Sequence, residues 1–154
     1  DAFSRPQLDE LKRAAGLLGL RLQLAEIRGA ADLEPAFQAA TKRRSGAVVL
    51  LFSPTFMVQR TRIAELGIKH RLPTMHQEQS HTQAGGLISY GPELTDTFGR
   101  VGYFLDRLFK GAKAGDLPME QVSKFKLVLN LKTAEAIGLT VPQSILLRAD
   151  EVIR

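Results

Sequence analysis

The spacing of apolar residues alternates along the chain between the period of a helix and the period of a strand. Helical spacing predicts helices at residues 4–19, 32–44, 55–70, 93–110 and 132–138. Alternating or continuous apolar runs predict strands at residues 20–27, 46–52, 72–75, 87–91 and 125–131. This succession of helix and strand is typical of an α/β domain built from right-handed βαβ units, although the chain starts on a helix and lacks an opening strand.

The run GAVVLLF, residues 46–52, is apolar throughout and is followed by Ser53 and Pro54. A continuous apolar run bounded by turn residues is typical of a strand that is buried on both faces of a parallel sheet. We therefore expect a parallel sheet covered on both sides by helices, in a three-layer α/β/α arrangement.

The stretch HQEQSHTQAGG, residues 76–86, interrupts this alternation with polar residues that follow no period. It predicts a loop that crosses between domains or faces a ligand. The strand LISYG follows and places Tyr90 between a strand and a turn, where the ring need not point into the core.

The composition is that of one globular domain, with 154 residues, 44% hydrophobic and 24% charged. The net charge of +5 raises the question of nucleic acid, but the basic residues are spread over helix faces and only TKRR, residues 41–44, forms a run. The absence of cysteine excludes disulfides and thiolate chemistry. No apolar stretch is long enough to span a bilayer and no leader is visible, so we expect a cytosolic protein or one whose export signal has been removed.

Residues suited to catalysis or to metal binding are few. His76, Glu78 and His81 lie within six residues, but not at the spacing of two ligands one helical turn apart, so we interpret them as exposed loop residues. The sequence has no glycine-flanked nucleophilic serine and no glycine-rich phosphate loop after a strand. Ser53 is interpreted first as a helix cap. We expect no enzyme activity, no metal and no cofactor.

Ligands of open parallel sheets bind beyond the carboxyl ends of the strands. The loops after residues 52, 75 and 88 should therefore converge on one crevice. The predicted ligand-binding residues of these loops are Ser53, Pro54, Thr55, Phe56, His76, Gln77, Ser89 and Tyr90, with Gly91 next to them. Hydroxyls, amides and aromatic rings without a paired acid and base suit holding a small organic solute better than transforming one.

Four pieces of the second half carry a family resemblance: the GGLISYG start, the KGAKAGDLP loop, LVLNLKTAEAIGL and the ending LLRADEVI. Upstream, AADLEPAFQAA and RIAELGIKHRLPTM fit the same pattern. Over essentially the whole chain, the sequence resembles ABC-transporter substrate-binding proteins of the tryptophan/tyrosine-type group. The resemblance implies the type I periplasmic-binding-protein fold.

Members of that family are about twice as long and consist of two lobes joined by crossing strands. By analogy, residues 1–83 are the second lobe without its first strand, residues 84–118 are a hinge crossing and a segment that packs on the absent first lobe, and residues 119–154 are the return crossing and tail. Gly85, Gly86 and Gly91 are the hinge residues that the resemblance implies.

The resemblance implies a non-enzymatic, periplasmic or lipid-anchored protein that closes two lobes on a solute and delivers it to an ABC permease in the membrane. A ligand-sensing domain of a regulator or receptor with the same fold is the alternative, and a basic helix-turn-helix upstream would favour it.

The solute itself stays open. Family members that bind aromatic amino acids carry small polar and acidic residues where this chain has SPTF and HQEQ. An ammonium group needs a counter-charge, and only Glu78 is nearby, so an aromatic or carboxylate compound is as plausible as an amino acid.

The predicted helix 93–110 has one apolar side, formed by Phe98, Val101, Leu105 and Leu108. Its family partner would be the missing lobe. For this chain alone we expect a homodimer that covers this side, with exchange of the segment across HTQAGG as one route.

Overall fold

The computed structural model describes residues 4–121 and 124–154. Its helices are α1 Ser4–Leu17, α2 Leu33–Lys42, α3 Pro54–Val58, α4 Arg60–Lys69, α5 Gln79–Gln83, α6 Leu94–Phe109, α7 Leu131–Ile137 and α8 Gln143–Leu146. Its strands are β1 Val48–Val49, β2 Thr74–His76, β3 Ile88–Pro92, β4 Phe125–Asn130 and β5 Glu151–Ile153. Short 3-10 turns lie at Ala30–Asp32 and Ala114–Asp116.

The five strands form one sheet in the order β1-β2-β3-β4-β5. Strands β1, β2 and β3 are parallel to one another, and β4 is parallel to β5. Only the β3–β4 pair is antiparallel among the described strands. The predicted α/β fold with a mostly parallel sheet is thus confirmed, and the carboxyl ends of β1, β2 and β3 lie at the same edge.

Two apolar clusters hold the helices on the sheet. The larger one joins α2 and α4 to the region of β1 and contains Leu33, Phe37, Leu50, Ile63, Leu66 and Leu72. Each fully buried side chain of this size contributes about 1.5–3 kcal/mol relative to an exposed one. The smaller cluster packs α7 against the start of β3 and contains Leu87, Ala134 and Ile137. Among the described residues, no helix is both long and apolar enough to cross a membrane.

The strand predicted at residues 20–27 does not form. The segment has no regular secondary structure, and Leu20 and Leu24 are mostly exposed. Alternation of leucine with polar residues gives a chain one apolar face, but a strand also needs a neighbour for its backbone hydrogen bonds. Within the described part of the chain, β1 pairs with β2 alone, so residues 20–27 stay outside the sheet.

The expectation that residues 46–52 are buried on both faces is also wrong. The assigned strand is only Val48–Val49, at the edge of the sheet, and Val49 is 45% exposed, so the face of β1 that carries Val49 is not fully covered. The backbone N–H of Leu50 still donates to the carbonyl oxygen of Met75 at 2.9 Å. The helix predicted at residues 55–70 is divided into α3 and α4 at Gln59.

The predicted elements of the second half agree better with the structure. Strands β3 and β4 and helices α6 and α7 form within a few residues of the predicted bounds. The C-terminal tail adds more than the sequence indicated, since it contains α8 and then β5, which pairs with β4.

Candidate functional site

The candidate site lies at the edge where β1, β2 and β3 end. A residue of α1 ties two of these ends together: Gln7 Oε1 accepts a hydrogen bond from the backbone N–H of Phe52 at 2.9 Å and one from Gln77 Nε2 at 3.3 Å. Sequence reasoning missed Gln7, because a polar residue on the first helix carries no local signal of such a long-range contact. The hydrogen bond from Gln77 Nε2 to Gln7 orients the exposed Gln77 side chain at this edge of the sheet.

The segment after β1 presents some of its predicted residues to solvent and encloses others. Ser53 occupies the N-cap position of α3 as predicted, but its side chain makes no capping hydrogen bond. Pro54 and Thr55 are exposed. Phe56 is directed inward and packs against the larger apolar cluster. Thr55 is thus the polar side chain that this segment exposes most clearly at the edge.

His76 and His81 are buried, which corrects the interpretation of residues 76–86 as an exposed polar loop. Their side chains are 2% and 5% exposed, and their rings are stacked with centroids 4.2 Å apart and planes 15° apart. The polar stretch forms helix α5, which turns His81 and Thr82 into the protein. A polar segment was expected to face water, but two imidazole faces can bury each other's apolar surface.

The same burial affects how the two histidines titrate. Burial, followed by repulsion from His81, lowers the pKa of His76 to about 3. The pKa of His81 is also lowered, by burial and then by the Arg60 charge. In the described part of the chain, both ring nitrogens of His76 and Nδ1 of His81 have no hydrogen-bond partner. Both rings are therefore neutral near pH 7.

This arrangement does not suit a metal ion. The lone pair of an imidazole nitrogen lies in the ring plane, and stacked rings direct their lone pairs past each other rather than at one point. Among the described residues, no group of three histidine, aspartate or glutamate side chains gathers around a common centre.

Gly86 explains how the histidines can stack. A Cβ built at Gly86 would lie 2.9 Å from both His76 Nε2 and the carbonyl oxygen of His81, which is closer than packed atoms approach. Gly85 beside it adopts φ of +109°, and its carbonyl oxygen accepts a hydrogen bond from Thr133 Oγ1 at 2.8 Å. These glycines occupy a tightly packed junction between α5, β3 and α7. Their role as hinge residues stays a prediction.

Gly91 marks the closest approach of two strand ends. A Cβ built there would lie 2.0 Å from the carbonyl oxygen of Gln77, so no side chain fits at this position. Ser89, two residues earlier, is 1% exposed, and its hydroxyl has no hydrogen-bond partner among the described residues. Its side chain is buried and does not reach solvent at the edge.

Tyr90 points to the opposite face of the sheet from Ser89, as neighbouring residues of a strand do. It is 49% exposed, and its ring lies 5.6 Å from that of Phe125, which is exposed to the same extent. Sequence reasoning missed Phe125. The antiparallel pairing of β3 with β4 places Phe125 opposite Pro92, two residues from Tyr90, and this pairing was not part of the sequence prediction.

The structure therefore divides the predicted site residues into two groups. Phe56, His76 and Ser89 are turned into the protein, as described above. The side chains that remain available at this edge and on the adjoining sheet face are an amide, a hydroxyl and two aromatic rings, from Gln77, Thr55, Tyr90 and Phe125. Such groups hydrogen-bond and stack on an organic solute.

A second concavity lies away from this edge. A cavity of about 500 Å³ opens between α7 and α8 and is lined mainly by apolar residues, among them Leu131, Ala134, Val141 and Leu146. It is wide open to solvent and offers Glu135 and Thr140 as polar side chains. The strand ends carry more of the polar groups that orient a solute, so we place the candidate site there.

Known structures with the same fold include three bacterial proteins. A conserved domain protein of Vibrio cholerae superposes with a TM-score of 0.88 at 22% identity, and covers 99% of this chain and 51% of its own. An ABC domain of Streptococcus pneumoniae in complex with L-Trp gives 0.85 at 25% identity, with 97% and 50% covered. The ligand-free, open substrate-binding protein CD0873 of Clostridium difficile, described as having adhesive properties, gives 0.73 at 15% identity, with 99% and 51% covered.

The chain thus spans about half the length of each of these structures. No curated protein sequence matches it. The sequence profile of one family, described as ABC transporter substrate binding protein, matches residues 1–153. The chain shares the fold of about half of each of these structures, and the family match extends over nearly the whole chain. The chain belongs to the ABC transporter substrate-binding protein family.

Proposed function

We propose that this chain is part of the solute-binding component of an ABC importer. That component captures a small organic solute between two lobes and delivers it to the permease in the membrane. The single observation that supports it best is the group of exposed amide, hydroxyl and aromatic side chains beside the carboxyl ends of β1, β2 and β3, in a chain of a substrate-binding family. The role is binding without catalysis, in the periplasm or on a lipid anchor.

The proposed division into lobes is the one that the family resemblance implies, and the β3–β4 pair supports it. Residues 1–83 form most of one lobe, residues 84–118 cross to the other, and residues 119–154 return. The antiparallel pairing of Ile88–Pro92 with Phe125–Asn130 supports an outward and a return strand that lie side by side. Between them, α6 exposes large apolar side chains, Phe98 at 70%, Val101 at 49% and Leu105 at 47%, as expected of a helix that packs on another lobe.

The proposed solute is an amino acid, an aromatic compound or a carboxylate. The Streptococcus pneumoniae relative was solved with L-Trp, which makes an aromatic amino acid the first candidate to test. Tyr90 and Phe125 offer a surface on which a planar ring stacks, and Gln77 offers donor and acceptor groups at the same edge of the sheet. Thr55 is the further polar contact at this edge.

A thermal-shift screen tests the proposal. The full gene product is heated with single amino acids, aromatic acids and aliphatic carboxylates. A bound solute at about 100 times its Kd stabilises the folded protein by about 2.7 kcal/mol. We expect one chemical class to raise the midpoint, and Gln77→Ala to remove that shift while the control Gln38→Ala, on an exposed face of α2, keeps it. If no compound of the three classes raises the midpoint of unfolding, the proposal is contradicted.

A further inference from the structure

The run TKRR, which looked isolated in the sequence, is part of a larger basic surface in the structure. Thr41 Oγ1 and His70 Nδ1 are 3.3 Å apart, which brings the end of α2 next to the end of α4. The basic end, as we call this surface, consists of Lys42, Arg43, Arg44, Lys69 and Arg71, all of them exposed. It lies just before β1 and β2 begin, at the side of the sheet opposite the candidate solute site.

Few acidic groups balance this charge. The carboxylates of α2 and α4 are Glu34 and Glu65. Glu34 contacts Lys69 at 2.7 Å and His70 at 3.4 Å, and these contacts lower the pKa of its carboxyl group. Glu65 lies one turn before Lys69 on α4. Both carboxylates lie on the Lys69 side of the surface, which leaves a net positive charge at Arg43, Arg44 and Arg71.

The backbone gives a second, independent observation. Arg44 and Arg71 have φ of 55° and 51°, and these are the positive-φ residues other than glycine in the described part of the chain. Each stands one residue after the helix cap, where a left-handed residue is usually glycine because it carries no Cβ. An arginine at both places is conformationally unfavourable. Both residues end their helices in a Schellman-type turn, in which the N–H of Ser45 donates to the carbonyl oxygen of Ala40 and that of Leu72 to Gly67, each at 2.9 Å, so these turns fix where the two arginine side chains leave the surface.

Interaction with the helix dipoles explains only some of the cations of the basic end. Lys42 and Lys69 lie in the last turns of their helices, where cations are generally stabilising. The three arginines lie beyond the helix ends and project from loops. The dipoles therefore account for two of the five cations and leave the three arginines unexplained.

The chemistry of the basic end favours one kind of partner. Protein interfaces are centred on large apolar or aromatic anchors in well-packed pockets. The nearby Phe37 is 3% exposed and Ile68 is 36% exposed, so this surface offers little apolar area for such an anchor. Exposed cations at one end of the domain match an array of phosphate headgroups, to which each lysine or arginine adds binding energy without a pocket. We propose that the basic end binds the surface of a membrane that contains anionic phospholipids.

Such binding leaves the opposite side of the sheet free. The basic end and the solute site lie at opposite edges of the sheet, so solute capture does not use the lysines and arginines of the basic end. The proposal is independent of the solute and of the importer function, because it depends on charge and backbone conformation at residues outside that site.

Vesicle sedimentation tests the proposal with the 154-residue chain. Vesicles of phosphatidylglycerol and phosphatidylcholine are compared with vesicles of phosphatidylcholine alone, at about 0.1 M salt, where surface charges still interact. We expect binding to the anionic vesicles only, and its loss as salt is raised towards about 1 M. The double variant Arg44→Gly/Arg71→Gly should bind roughly twenty-five-fold more weakly, since each cation contributes about five-fold.

Three variants separate the charge from folding and from net charge. The glycine variant should fold at least as stably as the parent protein, because glycine suits positive φ. Arg44→Lys/Arg71→Lys should keep vesicle binding. Arg5→Gln/Arg148→Gln removes the same charge elsewhere on the surface. It should weaken binding by less than about two-fold relative to the parent protein, far less than the glycine variant.

Several results would overturn the proposal. Equal binding to both kinds of vesicle would show that the binding does not depend on the charge of the lipid. An equal loss in the glycine variant and in Arg5→Gln/Arg148→Gln would show that net charge alone matters. Tighter binding to a DNA duplex than to anionic vesicles at the same salt would assign the surface to nucleic acid instead. Binding that survives in the glycine variant would show that the strained arginines do not take part.

Discussion

The rings of His76 and His81 are stacked on each other inside the protein, with their centroids 4.2 Å apart. The contact joins β2 to α5, directly beneath the strand end that carries Gln77. It makes folding sensitive to acid, because charging either ring places a cation in a buried position beside a second imidazole.

The first prediction concerns stability and pH. The unfolded pKa of a histidine is near 6.5, and the folded pKa of His76 is about 3. The unfolded state therefore binds more protons, so this stabilising contribution is fully present above pH 6.5 and is lost as the pH falls from 6.5 towards 3. The loss amounts to at most about 1.4 kcal/mol per pH unit for one such group.

Urea unfolding at a series of pH values measures this effect. We expect His76→Phe, which keeps an aromatic ring in the stack, to flatten the decline in the free energy of unfolding between about pH 6.5 and pH 4. His70→Gln is the control, because His70 is a partly buried ring at the C-cap of α4 and is not part of the stacked pair. A decline of the same steepness in His76→Phe and in the parent protein would contradict the account.

The second prediction concerns Gly91. A methyl group there would overlap the carbonyl oxygen of Gln77, so Gly91→Ala must move two strand ends apart. We expect a loss of more than about 2 kcal/mol in the free energy of unfolding, by overpacking of a rigid backbone contact. Gly46→Ala is the control, since a Cβ at Gly46 meets no atom within 4 Å. Equal stability of the two variants would show that the strand ends tolerate separation.

Gln7 gives the third prediction. Its side chain accepts a backbone hydrogen bond from Phe52 and one from the Gln77 amide, so Gln7→Ala leaves both donors without this acceptor. We expect a cost of about 1 kcal/mol in folding stability and faster amide exchange at Phe52. Hydrogen-exchange NMR measures the exchange rate. Unchanged exchange at Phe52 would mean that α1 does not hold the end of β1.

The fourth prediction concerns association of the chain. Helix α6 exposes an apolar side of Phe98, Val101, Leu105 and Leu108, and an exposed surface of this kind tends to be covered by another chain. We predict a homodimer by light scattering for the 154-residue protein. Leu105→Glu should convert it to a monomer, whereas Leu147→Glu, at an exposed site outside α6, should not. A monomeric parent protein would contradict this prediction.

The sequence predicted the fold best where local pattern and tertiary packing agree. Residues 125–130 form the predicted strand, and Gly138 ends α7 in the left-handed conformation that favours glycine. It failed at residues 20–27, because strand periodicity does not supply a neighbour for pairing. It also failed at His81, because a polar segment can bury an imidazole against a second one.

The candidate site was predictable only to the level of loops. The rule that parallel strands end together placed residues 53–56, 76–77 and 89–90 near one another. Which side chains face solvent depends on strand alternation and helix bounds that the pattern does not specify to one residue. Ser89 and Tyr90 show this, since they are adjacent in sequence but are 1% and 49% exposed. Gln7 and Phe125 could not be predicted, because they reach the site through contacts between elements that are far apart in sequence.

Solute binding beside the carboxyl ends of β1, β2 and β3 is the central claim. The most direct test is chemical-shift mapping by NMR of the full gene product, titrated with L-Trp and with members of the same solute panel. We predict that one class shifts the resonances of Thr55, Gln77 and Tyr90, and that Tyr90→Ala weakens its binding at least about five-fold, in line with loss of an aromatic stack. Shifts confined to the cavity between α7 and α8, or none at this edge with any solute, would contradict the account.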